Sequence, residues 1–408
     1  MTARYLFRPR PLLRRPARLL GALGLLLVPL LGAGGVSAEG PGWRSASSWG
    51  PAHLAGVPFI TATAAVLMDA RSGQVIYADN PDLPWPPAST TKIMTALVAI
   101  ETMPLDARIR ISPRVARFRV GSAIGLPEGR RVPLHDLLYG LMLQSGNDAA
   151  LAVAEGVGGT VDAFVARMND EAHRLGATRT HFTSPHGLFD PDHYSTAYDL
   201  ALLTRVAMQN PTFREIVRTR RWTWTLPGGG RRFLWNHNRL LARYPGADGV
   251  KTGYIHQSGQ TLVASAVHQG WRLIAVLLHA RDLWGDASRL LSYGFTRYRS
   301  VELARAGEEL ATIEVAGADR PVVGIVPEPV YGALAPGEEA ERRISLLPHL
   351  AVPIRQGERI GEVAFYASGR LMESAPLVAA QDVGSQAGLH WIVEWIGRVV
   401  HVRKPPGL

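Results

Sequence analysis

The chain of 408 residues contains no cysteine. That absence excludes disulfides, thiolate metal sites and an N-terminal lipid-modified cysteine. Charge is sparse, at 19%, against 47% hydrophobic residues. This balance excludes global disorder and leaves enough apolar material for about two packed domains. No internal repeat and no low-complexity tract is present, so solenoid and fibrous architectures fall away. The formal net charge of +10 drops to +4 once the six arginines of the N-terminal head are set aside. No tract of Lys and Arg remains beyond that head, which speaks against a nucleic-acid partner.

What is present begins at the N-terminus. Arg4, Arg8, Arg10, Arg14, Arg15 and Arg18 precede an almost wholly apolar stretch at 19–31, and Val36-Ser37-Ala38 offers small residues for cleavage before Glu39. This is the pattern of a secretory signal peptide over residues 1–38. Its apolar part is short for a membrane span, which favours cleavage over a retained anchor. Residues 39–57 lack periodicity and read as a linker.

Residues 64–68 and 74–77 flank Asp69-Ala70-Arg71-Ser72-Gly73, a hairpin signal. Residues 134–143 are apolar at helical spacing until Gln144-Ser145-Gly146-Asn147 interrupts them, and Asp148 opens a further helix at 149–157. Gly146 is expected to prevent a continuous helix and to expose the polar side chains beside it. Residues 160–175 read as helix and 181–193 as a Pro/Gly/Asp loop. Thr196 and Asp199 make an approximate capping box for a helix at 200–208. A turn feeds a strand around 247–254, strands at 260–267 and 272–278 form an antiparallel pair, and 287–293 is a closing helix. Beyond Phe295, short strands at 309–315, 321–326, 344–346, 359–365 and 371–378 read as a separate all-β domain. Near the C-terminus, Trp391, Ile392, Trp395, Ile396, Val399 and Val400 share one helical face, with His390, Glu394, Arg398 and His401 opposite. A helix of that kind at 388–404 lies on a membrane surface.

Three polar islands hold the chemistry. Ser89-Thr90-Thr91-Lys92 follows Pro86-Pro87-Ala88 at a helix start, with Ile93, Leu97 and Ile100 on one apolar stripe. At i, i+3 the Ser89 hydroxyl and Lys92 amine share a helix face, near the positive end of the dipole. Taken alone, the pattern reads as an N-cap serine with a solvated lysine. Ser145-Gly146-Asn147 breaks a pair of helices and Lys251-Thr252-Gly253 begins a strand; each is commonplace by itself. In this order and setting the triple resembles the motif set of penicillin-binding proteins and class A β-lactamases. Acyl transfer needs a nucleophile, a base, a proton donor for the leaving amine and an oxyanion site. Ser89 is the expected nucleophile and Lys92 its base, kept neutral by a nearby second cation, Lys251. Ser145 relays a proton to the leaving nitrogen, Asn147 holds the substrate amide and Thr252 binds a terminal carboxylate. Gly253 leaves room for a peptide to lie along the strand. The backbone N–H groups of Ser89 and Tyr254 are the expected oxyanion donors.

The resemblance is narrower still. The segment from Asn80 to Thr95, then Gln144-Ser145-Gly146-Asn147-Asp148-Ala149, His186-Gly187-Leu188, Tyr194-Ser195-Thr196-Ala197 and Asp248-Gly249-Val250-Lys251-Thr252-Gly253 resemble the low-molecular-mass penicillin-binding proteins that act as D-alanyl-D-alanine carboxypeptidases. The resemblance implies an α+β fold: a β-lactamase/transpeptidase-like catalytic domain at 58–297, an antiparallel sheet beside a helical cluster, then a β-sandwich at 300–382. It implies a serine peptidase that removes the terminal D-alanine from peptidoglycan stem peptides and is acylated by β-lactams. It also implies no cofactor or metal, and a place outside the cytoplasmic membrane. Arg281 stands where that family has an arginine for the terminal carboxylate, although His279-Ala280 departs from the usual flank. Ile255 replaces a common threonine. A β-lactamase needs a deacylating Glu-x-x-Leu-Asn loop, which is missing. A DD-endopeptidase shares every motif, but such relatives usually lack the β domain. A non-catalytic peptidoglycan-binding module is disfavoured by the intact polar set. His186 and His193 are read as loop structure, Trp222, Trp224 and Trp235 as strand packing, and Asn236 and Asn238 as turn residues.

Overall fold

The computed structural model describes residues 56–225 and 230–386. The signal segment, nearly all of the linker and the amphipathic helix at 388–404 lie outside the described residues. At the centre is an antiparallel sheet in the order β2 (Val75–Asp79), β1 (Ala64–Asp69), β9 (Trp271–Leu278), β8 (Gly259–His268), β7 (Ala247–Ile255). The inner strands are mostly apolar, with few polar breaks such as Thr261 and Ser265, because both their faces are covered. Val66, Met68, Val263, Ile274 and Val276 face a cluster of helices, whereas Leu67, Leu262, Ala264, Leu273 and Leu277 face a single helix, α9 (Leu283–Arg297). The sheet is thus the middle layer, and the expected closing helix is its second cover.

The helical side is built around α1 (Lys92–Thr102), flanked by α3 (Leu134–Leu143), α4 (Asn147–Gly158), α5 (Val161–Arg174), α6 (Ala197–Ala207) and α7 (Pro211–Arg218). The first eight residues of α1 are buried, not one stripe of it, because it is enclosed by helices and the sheet. Caps fix several of these starts. Thr160 Oγ1 accepts from Ala163 N at 3.1 Å, and Thr196 Oγ1 from Asp199 N at 3.0 Å. The Thr196 box is half made, since the Asp199 carboxylate turns instead to Arg179 N and Thr180 Oγ1. Smaller pieces complete this part: the β3 (Arg108–Arg110) and β4 (Arg131–Pro133) pair, α2 (Pro113–Arg117), the β5 (Arg221–Thr225) and β6 (Arg231–Trp235) hairpin, and α8 (Leu240–Arg243).

After α9 a single residue, Tyr298, leads into an all-β sandwich. One layer pairs β10 (Arg299–Ala304) with β13 (Val330–Leu334); the other runs β11 (Glu309–Ile313), β12 (Val322–Ile325), β16 (Arg370–Ala379), β15 (Arg359–Ala367), β14 (Ala340–Leu346). Ala304 and Val330 of the first layer share a buried core with Val322, Ile360, Val363 and Leu377 of the second. The buried Gln74 amide, at the tip of the first hairpin, bonds both backbone groups of Ala333 on β13, donating at 3.0 Å and accepting at 2.7 Å.

Candidate active site

The nucleophile turn is a short 3-10 helix, Ala88–Thr91, running directly into α1. Ser89 is not a cap; neither junction has a side-chain cap bond. Ala88 is held at φ +50°, an uncommon conformation for a residue with a Cβ. Its carbonyl accepts from Thr91 Oγ1 at 2.8 Å, and Gly187 packs so closely on that carbonyl that a Cβ there would lie 1.9 Å from the oxygen. Thr91 in turn meets His193 Nε2 at 2.8 Å, while His193 Nδ1 accepts from Thr183 N at 2.9 Å. The Nδ1 contact requires the Nε2–H tautomer, and burial pushes this imidazole down to about 4, so it is neutral at pH 7. His193 therefore braces the turn, in keeping with a loop-structural role.

Lys92 is fully buried, yet its Nζ lies 2.9 Å from Ser89 Oγ, 2.7 Å from Asn147 Oδ1 and 2.7 Å from His186 O. Two of these partners are carbonyl oxygens and can only accept. A neutral amine has two N–H bonds and one lone pair, so two donations to the carbonyls leave the lone pair for the Ser89 hydroxyl. Burial first and the Lys251 charge second hold Lys92 well below the ordinary lysine range; Asp148 pulls the other way. Lys251 is also buried, and burial pushes it down to about 7. Its Nζ donates to Thr252 O at 2.9 Å.

Ser145 stands between α3 and α4 and Asn147 opens α4, and both are buried rather than exposed. The break lies at Ser145 itself, with φ +58°; Gly146 has φ −58°. Glycine is needed at 146 for space, because a Cβ would lie 2.9 Å from Asp148 Oδ1. Asn147 has both ends engaged within the chain: Oδ1 receives Lys92, and Nδ2 donates to Val120 O at 2.9 Å. The residues that sequence reasoning passed over lie in the 118–126 segment. Asp148, fully buried, accepts from Ile124 N, Gly125 N, Leu126 N and Ala149 N at 2.7–3.2 Å. Asn147 N donates to Ser122 O at 2.7 Å. The signal available was an acid in the first turn of a helix with apolar residues all round it.

The Lys251 strand is β7, the outer strand of the sheet. A Cβ on Gly253 would lie 2.4 Å from Thr261 Oγ1, 2.9 Å from Ser89 N and 3.1 Å from Ala88 Cβ. Glycine there lets the nucleophile turn rest on β7, bringing the Ser89 amide beside the residue that precedes Tyr254. Thr252 is half-buried and the Tyr254 side chain is exposed. Asn238 is more than a turn residue: its amide donates to Gly249 O at 2.7 Å and anchors β7. Asn236 Oδ1 accepts from Asn238 N at 2.9 Å, closing a turn, while its Nδ2 reaches back to Val217 O and Thr219 O. Arg281 lies past the end of β9, exposed; its backbone N donates to Thr61 Oγ1, and its guanidinium makes no hydrogen bond or ion pair among the described residues. Trp224 and Trp222 pack inward, Trp222 stacked on Tyr139 at 3.9 Å, but Trp235 is 56% exposed, so strand packing does not account for it.

Comparison with known proteins agrees with this arrangement. Residues 52–282 match the family model described as D-alanyl-D-alanine carboxypeptidase, and residues 298–385 match penicillin-binding protein 5, C-terminal domain. The chain is 30% identical to the D-alanyl-D-alanine carboxypeptidase DacF of Bacillus subtilis, over 79% of this chain and 86% of the relative. It is 31% identical to DacA of Escherichia coli, over 85% of this chain and 90% of the relative. Among solved structures, penicillin-binding protein 5 from Haemophilus influenzae aligns with a TM-score of 0.73 and 31% identity, covering 81% of this chain and 99% of that one. The carboxypeptidase DacD from Francisella tularensis aligns at 0.64 and 28% identity, over 84% and 99%.

Proposed function

The chain belongs to the D-alanyl-D-alanine carboxypeptidase family, serine peptidases related to penicillin-binding protein 5, and from that membership we propose how labour is divided in its cleft. Ser89 Oγ attacks the carbonyl of the penultimate D-alanine in a peptidoglycan stem peptide, and its proton passes to neutral Lys92 Nζ. The Ser89 and Tyr254 amides receive the developing oxyanion. The proton reaches the leaving D-alanine nitrogen through Ser145, and water then hydrolyses the ester on Ser89. Lys251 keeps Lys92 neutral, Asn147 orients it, and Thr252 with Arg281 receives the terminal carboxylate. Because β7 is an edge strand, the substrate backbone pairs along it past Thr252 and Gly253.

The observation that carries this reading is the buried Lys92 amine, 2.9 Å from Ser89 Oγ with its other two partners both carbonyls. A labelled penicillin tests it: the wild type becomes covalently labelled and Ser89→Ala does not. A label on neither protein, or on both, overturns the assignment.

For location, the basic and apolar head at 1–38 and the Trp391/Trp395 face at 388–404 support export followed by attachment to the outer face of the cytoplasmic membrane. Among the described residues no single helix is long and apolar enough to cross a membrane. Deleting residues 388–408 releases the processed protein into the soluble fraction; unchanged sedimentation with membranes counts against the anchor.

A further inference from the structure

The β5–β6 hairpin sorts its side chains by face. Arg221 pairs with Trp235, Thr223 with Phe233 and Thr225 with Arg231, and all six are exposed. The opposite face, with Trp222, Trp224 and Leu234, packs inward. Phe233 and Trp235 are 52% and 56% exposed, and the Arg221 guanidinium hovers over both rings, at 5.3 and 5.5 Å. Arg221 and Arg231 form no ion pair among the described residues, and the face bears no acid. Two large rings more than half exposed on the outer face of this strand pair belong to no core cluster, so packing of the core does not explain them.

The hairpin is tied to the cleft. Trp235 O accepts from Gln144 Nε2 at 3.3 Å, and Gln144 is the neighbour of Ser145. Two residues on, His237 N donates to Leu143 O, and Asn238 then holds β7. Arg232, on the inward face, donates to Ile124 O in the segment that Asp148 anchors. The exposed rings therefore sit on the strand that runs directly into the Ser145 wall.

We propose that this face docks the glycan strand from which the peptide substrate hangs. A pyranose ring has an apolar C–H face and a rim of hydroxyls; the former stacks on Phe233 and Trp235, and the latter meets Thr223 and Thr225. A free carboxylate of the same polymer pairs with Arg221, already oriented by its stacking. The continuity with the cleft and the charge of the face select the polymer that carries the scissile peptide over a separate partner. The assignment rests on the peptidase reading above and extends it beyond the reacting peptide.

The test uses the full chain and a Phe233→Ala/Trp235→Ala double variant, with Arg221→Ala beside it. Binding to isolated peptidoglycan sacculi is measured in a Ser89→Ala background, so that turnover does not interfere. D-Alanine release is measured on a sugar-free acylated D-Ala-D-Ala peptide and on a disaccharide pentapeptide. The double variant binds sacculi about tenfold more weakly and its KM for the disaccharide substrate rises about tenfold, while the sugar-free peptide and penicillin acylation are unaffected. Equal binding of wild type and variant to sacculi overturns the proposal. So does an equal loss on both substrates, which marks a fold defect. Wild-type binding to lipid vesicles but not to sacculi assigns the face to a membrane and also overturns it. A wild type that binds sacculi through these rings but frees D-alanine from neither substrate sinks the peptidase reading and leaves the platform standing.

Discussion

Of the 44 basic residues in this chain only three are lysines: Lys92, Lys251 and Lys404. Arginine does not surrender its proton in a protein, whereas a buried lysine does. Two of the three, Lys92 and Lys251, are buried, and these are the two positions where the proposed mechanism needs a cation that can lose its proton. Burial of Lys251 has a cost that depends on pH. Its amine sits at about 7 when folded, against 10.5 for the free side chain. Between those values the unfolded chain binds more protons, so stability rises with pH across that window, and the cost is full below it. Lys251→Met is therefore more stable than the wild type at roughly pH 6 and gains less on going to roughly pH 10, as read by urea unfolding. An identical slope in both proteins refutes a desolvated amine at 251. The same change removes the second cause of the low Lys92 value, so the acid limb of penicillin acylation moves to higher pH. The i, i+3 spacing set the Ser89 hydroxyl and the Lys92 amine on one face, but alone it read as a capping serine and a solvated lysine; the two later polar islands were needed to bring the pair into one site. The carbonyl partners that hold the Lys92 amine were not legible at all, because Asn147 Oδ1 and His186 O are 55 and 94 residues away in sequence.

Elements with a strong local period were readable nearly to the residue. The helix at 134–143 and the paired strands at 260–267 and 272–278 each carry their own apolar pattern. Others depend on distant partners. The two strands of β10–β13 are six and five residues long, and their partner is the other strand of the same thin layer, 25 or more residues away in sequence, so neither stands out locally. The 3-10 turn at Ala88–Thr91 is invisible to helix periodicity, since it is set by contact with β7 and with Gly187. The role of Gly253 also changed: its missing side chain makes room for the turn that presents Ser89, beyond any room for substrate. Gly253→Ala must push the turn off β7, since Ser89 N is backbone and cannot swing aside. Acylation by penicillin falls by about a hundredfold while the protein stays folded by circular dichroism. An active Gly253→Ala enzyme contradicts that close packing.

At the scale of the whole molecule, the two domains are joined by more than the single linking residue. Gln74 mimics a strand residue, giving and taking one hydrogen bond with Ala333, and Arg71 lies over the Tyr331 ring at 4.1 Å. Gln74→Ala leaves the buried Ala333 amide and carbonyl without partners and costs about 2 kcal/mol. In calorimetry the sandwich then melts separately from the catalytic domain; one unchanged transition shows that the clasp is dispensable. The scarcity of lysine has a practical side. The described surface offers no amine, because both of its amines lie inside the catalytic cleft. An amine-selective ester finds no exposed lysine among the described residues. Any labelling traced to Lys92 or Lys251 clocks the opening of the cleft, and a bound β-lactam silences it. The enzyme carries its own reporter at the place where a label is most informative.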